Sequence, residues 1–262
     1  MQNADFFCNF APEMTGTIVN TCAIVVGTLV GAVLNRGIKE KYKVGLYDAL
    51  GLASLAIGLN ATLQNLPKSH YPVLFIVALA VGTIVGTRLD IDGRFHRLVN
   101  RRSTGSPQVV NGSTGSSQVE EGGVRGSSLA DGLSTATLLY CIGPLSMLGP
   151  VIAALKGDNT FLYTNATLDF VSSTIFASTY GFWMILAAPV LFLWQGLFFL
   201  VATLSSQAVS EALMAELLIV GGLMIMGSGL NLLKLKELKT LNMLPSLLVP
   251  VVWFVIKAVL NI

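Results

Sequence analysis

Charged side chains are scarce in this chain. Aspartate, glutamate, lysine and arginine together make up only 11% of its 262 residues, whereas an ordinary globular domain carries about 25%. Hydrophobic residues account for 53%. So few charges cannot cover the surface of a soluble domain, and lipid is therefore the expected surrounding of most of the chain. This composition argues against a cytosolic enzyme, a nucleic-acid-binding protein and a disulfide-stapled secreted domain.

Residues that bind metals or form disulfides are also rare. The chain has two histidines, His70 and His96, and three cysteines, Cys8, Cys22 and Cys141, none of them in metal-ligand spacing. We interpret Cys22 and Cys141 as small buried residues. The HExxH, GxSxG and GxxxxGK[ST] motifs do not occur, and the apolar segments hold no paired acid and base. We therefore expect no enzyme activity, no metal site and no cofactor.

Long apolar segments are what the chain does have. A helix needs roughly 20 apolar residues to cross a bilayer core of about 30 Å. The predicted spans are 17–34, 46–66, 72–87, 129–155, 167–188, 189–204, 213–233 and 243–262. The fifth and sixth divide one run near Ala188–Pro189, and a mere proline kink there would leave seven spans. The predicted fold class is all-α, a polytopic membrane protein of about eight transmembrane helices.

Lysine and arginine residues are unevenly distributed among the loops. They cluster in residues 36–43, 88–125 and 234–239, whereas the opposite loops carry only Lys68 and Lys156. Such clusters remain in the cytoplasm. With eight spans all three clusters lie on that side and both termini lie outside, while seven spans would place the last cluster on the wrong face. The charges therefore favour eight spans.

A polar linker separates the third and fourth spans. In residues 101–128 the sequence STGSPQVV, at 103–110, is nearly repeated as STGSSQVE, at 113–120. Such a Ser/Gly-rich segment buries too little apolar surface to offset its ordering entropy. We predict a disordered cytoplasmic linker, either a tether or a regulatory segment, between a first membrane unit (1–100) and a second (129–262).

The second and seventh spans share a glycine pattern. The sequence GL, five residues and GLN occupies 51–60 and recurs at 222–231, and a Leu-Pro pair follows each copy at 66–67 and 244–245. The two spans would cross in opposite directions, which predicts an inverted repeat of helices 1–3 and 6–8. Many secondary transporters have this architecture, with a binding site near the middle of the membrane. Alternatively, glycines recur because they let membrane helices pack closely.

The candidate chemistry is concentrated in the fifth span. Asp169, Ser172 and Ser173 follow one another at helical spacing and share a face. A carboxylate in lipid costs roughly 2.5–3.5 kcal/mol, so it is expected to face a cavity or a partner. Together these oxygens would suit a monovalent cation such as Na⁺, and the carboxyl alone would carry a proton. Alternatively, Asp169 caps the start of its helix.

The fourth span carries a second candidate feature. Gly143–Pro144 and Gly149–Pro150 lie within it, and such pairs are typical of a broken helix whose freed carbonyls bind an ion or a substrate. Asp131, at its start, is interpreted as a helix cap. Asp48 and Glu216 lie near the starts of other helices, where the helix dipole explains them without function.

Three asparagines lie at predicted membrane depth, Asn20 in the first span and Asn60 and Asn231 in the repeated pattern. They either line the binding site or form hydrogen bonds between helices.

Several blocks of the sequence together resemble the DUF554 family of bacterial integral membrane proteins. They are GTIVNTCAIVVGTLVGAVLNRGI, GLASLAIGLN, LLYCIGPLSMLG, LDF with IFASTYG, and VGGLMIMGSGLN followed by NMLPSLLVP. The resemblance implies a polytopic protein of a bacterial plasma membrane, sometimes labelled a transporter, and it implies no catalytic residue. Family members often carry Lys-Ser where this chain has Asn165-Ala166, which implies that Asp169 lacks a lysine partner here.

Two functional hypotheses follow. In the first, the protein is a secondary transporter or ion-coupled carrier, whose partners are the lipid bilayer, a monovalent cation or proton and a small solute. Asp169 would bind the cation with Ser172 and Ser173, and carbonyls near Gly143 and Pro144 would bind the solute. In the second, it is a non-transporting scaffold that recruits partners through its linker. A homo-oligomer fits either hypothesis, and a nucleic acid partner fits neither.

Overall fold

The computed structural model describes residues 14–34, 40–100, 129–206 and 209–260. Within these ranges all regular secondary structure is helical and no strand is present, which confirms the all-α prediction. The predicted linker at 101–128, Cys8 and the side chain of Asp131 lie outside what is described.

Ten α-helices and three short 3₁₀ segments make up the described chain. The α-helices are α1 (Thr15–Val33), α2 (Glu40–Asn65), α3 (Leu74–Arg88), α4 (Ile91–Asn100), α5 (Leu129–Ile142), α6 (Pro144–Lys156), α7 (Thr160–Tyr180), α8 (Ala187–Leu204), α9 (Glu211–Leu232) and α10 (Leu248–Leu260). The 3₁₀ segments are Leu66–Lys68, Phe182–Leu186 and Thr240–Leu247.

Five segments of the described chain are long and apolar enough to cross a membrane. They are Thr15–Val33, Val44–Lys68, Phe182–Leu204, Glu211–Leu232 and Thr240–Leu260. A sixth arises if α5 and α6, bent by 44°, count as one broken span. Helix α3 is apolar but shorter, and α7 has 21 residues but is enriched in Asn, Ser and Thr, which lower its hydropathy.

The boundary between the predicted fifth and sixth spans lies elsewhere than expected. Helix α7 ends at Tyr180, and the Gly181 that follows has a positive φ of 84°, which glycine adopts readily. Pro189 lies in the first turn of α8, where a missing backbone N–H breaks no helical hydrogen bond. The division predicted at Ala188–Pro189 is therefore wrong in position, although two separate helices are present.

One of the two cysteines interpreted as buried is not. Cys141 is buried, whereas Cys22 is exposed on the surface of α1. Cys22 lies outside the buried face of α1, which explains why it is exposed. The buried residues of α1 are Gly16, Thr17, Asn20, Ile24, Gly27, Thr28 and Gly31.

The chain divides into two compact units, each built from segments on both sides of the linker. The first comprises residues 1–46 and 123–207, and the second comprises 47–122 and 208–262. The first unit therefore contains α1 and α5–α8, and the second contains most of α2 together with α3, α4, α9 and α10. The boundaries at 1–100 and 129–262 stay a prediction.

In the first unit, α1 and α7 pack closely in parallel. Gly16 contacts Leu162 near the start of both helices, and Gly31 contacts Thr174 towards their ends. Between them, a Cβ atom at Gly27 would overlap atoms of α7. Small residues at such an interface let two membrane helices approach with their backbones nearly in contact.

In the second unit, α9 packs against α2 in the opposite direction. Gly51 lies against Gly229, and Gly58 lies against Gly222. Helix α3 is likewise antiparallel to the segment Thr240–Leu247. Glycines again provide the close approach, since Gly82 and Gly86 of α3 lie against Ser246 and Asn242.

Candidate functional site

Asp169 lies in the middle of α7 and is almost fully buried, with only 6% of its surface exposed. Its helix begins at Thr160, where Asp158 Oδ1 accepts a hydrogen bond from the Thr160 N–H. The alternative in which Asp169 caps the start of its helix is therefore wrong. The helix begins earlier than the hydropathy pattern indicates, because the polar residues of its first turns are partly buried within the unit.

Asn165, one turn before Asp169, is its hydrogen-bond partner. Asn165 Nδ2 donates to Asp169 Oδ2 over 2.8 Å, and both side chains are buried. Asp169 thus has no lysine partner but does have an amide partner, at the position where the resemblance implies that the family often has a lysine. An amide satisfies one carboxylate oxygen but brings no positive charge, so the charge of an ionised Asp169 is not neutralised by Asn165.

Asn20 of α1 faces this carboxyl group. It is fully buried and lies close enough to interact with the Asp169 side chain. Neither of its polar side-chain atoms meets the geometry of a hydrogen bond within the described residues. The hydroxyls of Thr17 and Thr28, on the same buried face of α1, also have no partner there. This helix face thus presents several unused polar atoms to its unit, although buried polar groups are normally hydrogen-bonded.

The two serines of the predicted site are both buried on α7. Ser173 Oγ donates to the Phe170 carbonyl over 3.0 Å. It also occupies the space that a Cβ atom at Gly27 would need. Ser173 therefore contributes to the packing of α7 against α1, and its oxygen can still accept a hydrogen bond. Ser172 lies one turn after Asp169, and its burial with the carboxyl agrees with the predicted shared face.

The break in the fourth predicted span is present at Gly143, between α5 and α6. Pro144 occupies the first position of α6. Pro150, within α6, supplies no N–H to the Ser146 carbonyl. Cys141, two residues before the break, lies within electrostatic range of Asp169. The structure thus brings the broken helix and the carboxyl group into one neighbourhood of the first unit.

Gln195 of α8 is a buried polar residue that the sequence analysis missed. Its side chain is fully buried, and its Nε2 donates to Ser146 Oγ over 3.2 Å. The other side-chain atom, Oε1, has no hydrogen-bond partner in the described chain. A lone glutamine in the apolar sequence LFLWQGLFFL was the available signal, since an amide in such a segment needs a partner.

The remaining two predicted site residues belong to the second unit and have local partners. Asn60 is exposed on α2, and its Oδ1 accepts from Gln64 Nε2 over 2.9 Å. Asn231 is buried at the end of α9. Its Nδ2 donates to the Leu238 carbonyl over 2.8 Å, and its Oδ1 accepts from the Leu238 N–H over 2.7 Å. Asn231 thus fixes the loop that follows its helix.

The two asparagines of the repeated pattern offer a matched test. Replacing Asn231 by alanine leaves two backbone groups of Leu238 without their partner, and we expect a loss of about 1–3 kcal/mol in the free energy of unfolding. Asn60→Ala removes an exposed hydrogen bond and should cost within about 0.5 kcal/mol. Denaturant unfolding of the detergent-purified variants measures both. Equal losses in the two variants would contradict the role given to Asn231.

The first unit therefore offers oxygen and amide groups around one carboxylate, held by α1 and α7. Carboxylate, hydroxyl and amide oxygens are ligands for hard cations, and a carboxyl group can instead bind a proton. Among the described residues, no group of three or more His, Cys, Asp or Glu side chains could hold a metal ion together.

These features define a multi-pass α-helical membrane protein with a buried polar site in one helical unit. The profile of the family described as "Protein of unknown function (DUF554)" matches residues 15–255. The chain belongs to this family.

Two relatives cover almost the whole chain. The "Uncharacterized membrane protein YdfK" of Bacillus subtilis (strain 168) is 47% identical over 246 residues, which are 94% of this chain and 98% of the relative. The "Uncharacterized protein YqgA" of Escherichia coli (strain K12) is 25% identical over 236 residues, 89% of this chain and 93% of the relative. No solved structure matches.

Proposed function

We propose that this protein is a secondary transporter that couples movement of a small solute to a monovalent cation or a proton. The observation that carries the proposal is the carboxyl group of Asp169, which lies in the middle of a helix, is buried and accepts a hydrogen bond from a neutral amide among the described residues. A buried carboxyl group in a membrane protein is costly and is usually retained for an ion or substrate pathway.

Different groups near Asp169 bind the ion and the solute. Asp169 binds the coupling ion, and the oxygens of Asn20 and Ser172 complete its surroundings. The solute binds beside the helix break at Gly143–Pro144, where Gln195 Oε1 and carbonyls released by proline remain available as hydrogen-bond acceptors.

An eight-span topology is part of the proposal. Two helices run parallel when an odd number of spans separates them, and antiparallel when the number is even. The parallel contact of α1 with α7 fits three intervening spans. The antiparallel contacts of α2 with α9, and of α3 with Thr240–Leu247, each fit four. With basic loops inside, the N-terminus lies outside and residues 101–128 lie in the cytoplasm.

The inverted repeat gains support from the contact between α2 and α9. The pattern equates Gly51 with Gly222 and Gly58 with Gly229. A two-fold axis would therefore turn the contact Gly51–Gly229 into the contact Gly222–Gly58, and both contacts are present. Placement in a bacterial plasma membrane is supported by the apolar spans and by the relative that is named a membrane protein.

Asp169→Asn is the direct test of the coupling site. The substitution keeps the shape of the side chain and removes its charge, so stabilisation by the coupling ion should disappear. For the wild type we expect about 2.7 kcal/mol of stabilisation at a hundredfold excess over the dissociation constant. Thermal unfolding of the detergent-purified protein in Na⁺, Li⁺, K⁺ and pH series measures the difference.

Asp158→Asn is the matched control, because Asp158 is an exposed carboxylate in the same unit and the Oδ1 atom of an asparagine can still accept the hydrogen bond from the Thr160 N–H. This variant should respond to ions like the wild type. If wild type and Asp169→Asn unfold identically in every series, Asp169 serves only its bond to Asn165. The non-transporting scaffold then becomes the better explanation.

A further inference from the structure

Glu216 of α9 is a fully buried carboxyl group, and it belongs to the second unit. Its exposed fraction is 0%. Ser69 Oγ donates a hydrogen bond to Glu216 Oε1, whereas Oε2 has no partner within the described residues. Glu216 lies beyond the first turn of α9, whose cap is Ser210. The interpretation of Glu216 as a residue placed only by the helix dipole is therefore insufficient.

The Ser69 hydroxyl group also accepts a hydrogen bond, which holds Ser69 in place. The Tyr71 N–H donates to Ser69 Oγ over 3.1 Å, so the hydroxyl hydrogen remains for Glu216. The Tyr71 side chain is itself anchored, because Lys257 Nζ of α10 donates to its hydroxyl over 2.9 Å. The ring also packs edge-on against Trp253. The loop before α3 thus presents Ser69 to Glu216 in a fixed position.

No positive charge compensates Glu216 within the described part of the chain. Lys257 is engaged with Tyr71, both through its hydrogen bond and over the ring at 5.5 Å. Lys68 and His70, which flank Ser69, are exposed. On α9 itself the nearest ionisable residue is Glu211, which is also exposed, and on α3 it is Arg88, in the last turn. Residues 49–65 of α2 contain no ionisable side chain, and neither does Thr240–Leu247.

A proton suits these surroundings better than a metal cation does. An unpaired buried carboxylate is far costlier than its neutral acid. A cation such as Na⁺ would need several oxygens, and the other partnerless hydroxyl described in this unit, that of Ser246, faces Gly82 further along α3. One proton added to Oε2 neutralises the group and breaks no existing hydrogen bond.

We propose that Glu216 and Ser69 form a proton-binding site in the second unit, in which Glu216 carries the proton on Oε2 and Ser69 holds Oε1. This site is separate from Asp169, and its existence does not depend on whether the protein transports a solute. The proton is exchangeable with solvent, since Ser69 lies in a loop beside exposed residues.

Infrared spectroscopy of the full-length protein in lipid vesicles tests the proposal. A protonated carboxyl group has its own C=O stretching band, which moves to lower frequency when D₂O replaces H₂O. In an Asp169→Asn, Asp92→Asn background, which removes the other buried carboxyl groups of the described chain, we expect this band to be present, to shift in D₂O and to be lost in Glu216→Gln. Glu211→Gln, on the same helix but exposed, should leave it unchanged.

Ser69→Ala provides a second readout that does not depend on how well Glu216→Gln folds. Loss of the hydrogen bond to Oε1 should move the band to higher frequency without abolishing it. Three results would overturn the proposal. They are a spectrum without the band, a band that Glu216→Gln and Ser69→Ala both leave unchanged, and a band that disappears when Na⁺ is added.

Discussion

Gly27→Ala is expected to lower the free energy of unfolding by about 3 kcal/mol, the upper end of the usual cost of overpacking. A Cβ atom at this position would overlap Ser173 Oγ and the Phe170 carbonyl oxygen. The serine can rotate away, but a backbone atom can yield only if α1 and α7 separate. Chemical denaturation of the purified protein, followed by tryptophan fluorescence, measures the loss.

Gly196→Ala is the control for the general effect of adding a methyl group to a helix of the same unit. The nearest atom to a Cβ atom there is Met14 Cε, at an ordinary contact distance of 3.7 Å. Alanine also favours a helix more than glycine does, so this variant should be as stable as the wild type or slightly more stable. A small loss in Gly27→Ala, similar to the change in Gly196→Ala, would mean that α1 and α7 do not pack as described.

The helical character of the chain could be predicted from its apolar segments, but the start of α7 could not. The sequence places a boundary near Thr167 because Tyr163, Thr164 and Asn165 interrupt the apolar run. In the structure the helix extends back to Thr160, and Asn165 is buried. Contacts with other helices determine where such a helix begins, and the local hydropathy of the sequence carries no information on those contacts.

The part of the site that lies on one helix could be predicted from residue type and spacing. Asp169 and Ser172 were identified because a carboxyl group and a hydroxyl group on one helical face are unusual in an apolar segment. Asn165 lies one turn before Asp169, so spacing alone could have suggested the pair. Gln195 and its partner Ser146 lie on different helices, and only the fold brings them together.

Glu216 shows the opposite limitation. Its place near the start of α9 offered a sufficient local explanation, because acidic residues are stabilised near helix N-termini. Its burial and its bond to Ser69 depend on a loop 147 residues away in sequence. A single amino-acid sequence gives no means of pairing positions so far apart.

Asn165→Lys is expected to abolish the ion-dependent stabilisation of the protein. Asn165 Nδ2 lies 2.8 Å from Asp169 Oδ2, so an ammonium group at position 165 would reach the same carboxylate. It would neutralise Asp169 and occupy the position of the coupling ion. The stabilisation of about 2.7 kcal/mol, expected for the wild type at a hundredfold excess of ion over its dissociation constant, should fall to nearly zero in the same thermal unfolding series.

Thr167→Lys adds the same charge to the same helix at an exposed position, which lies on a different face from Asp169. This variant should keep the full response to the ion, so that a loss confined to Asn165→Lys reports on the carboxyl group itself. Burying an ion pair has its own desolvation cost, and the absolute stability of Asn165→Lys therefore decides nothing. The decisive quantity is the change in stability on adding the ion. If Asn165→Lys folds and still responds fully, Asp169 does not bind the ion, because a carboxylate paired with lysine cannot bind a cation with unchanged affinity.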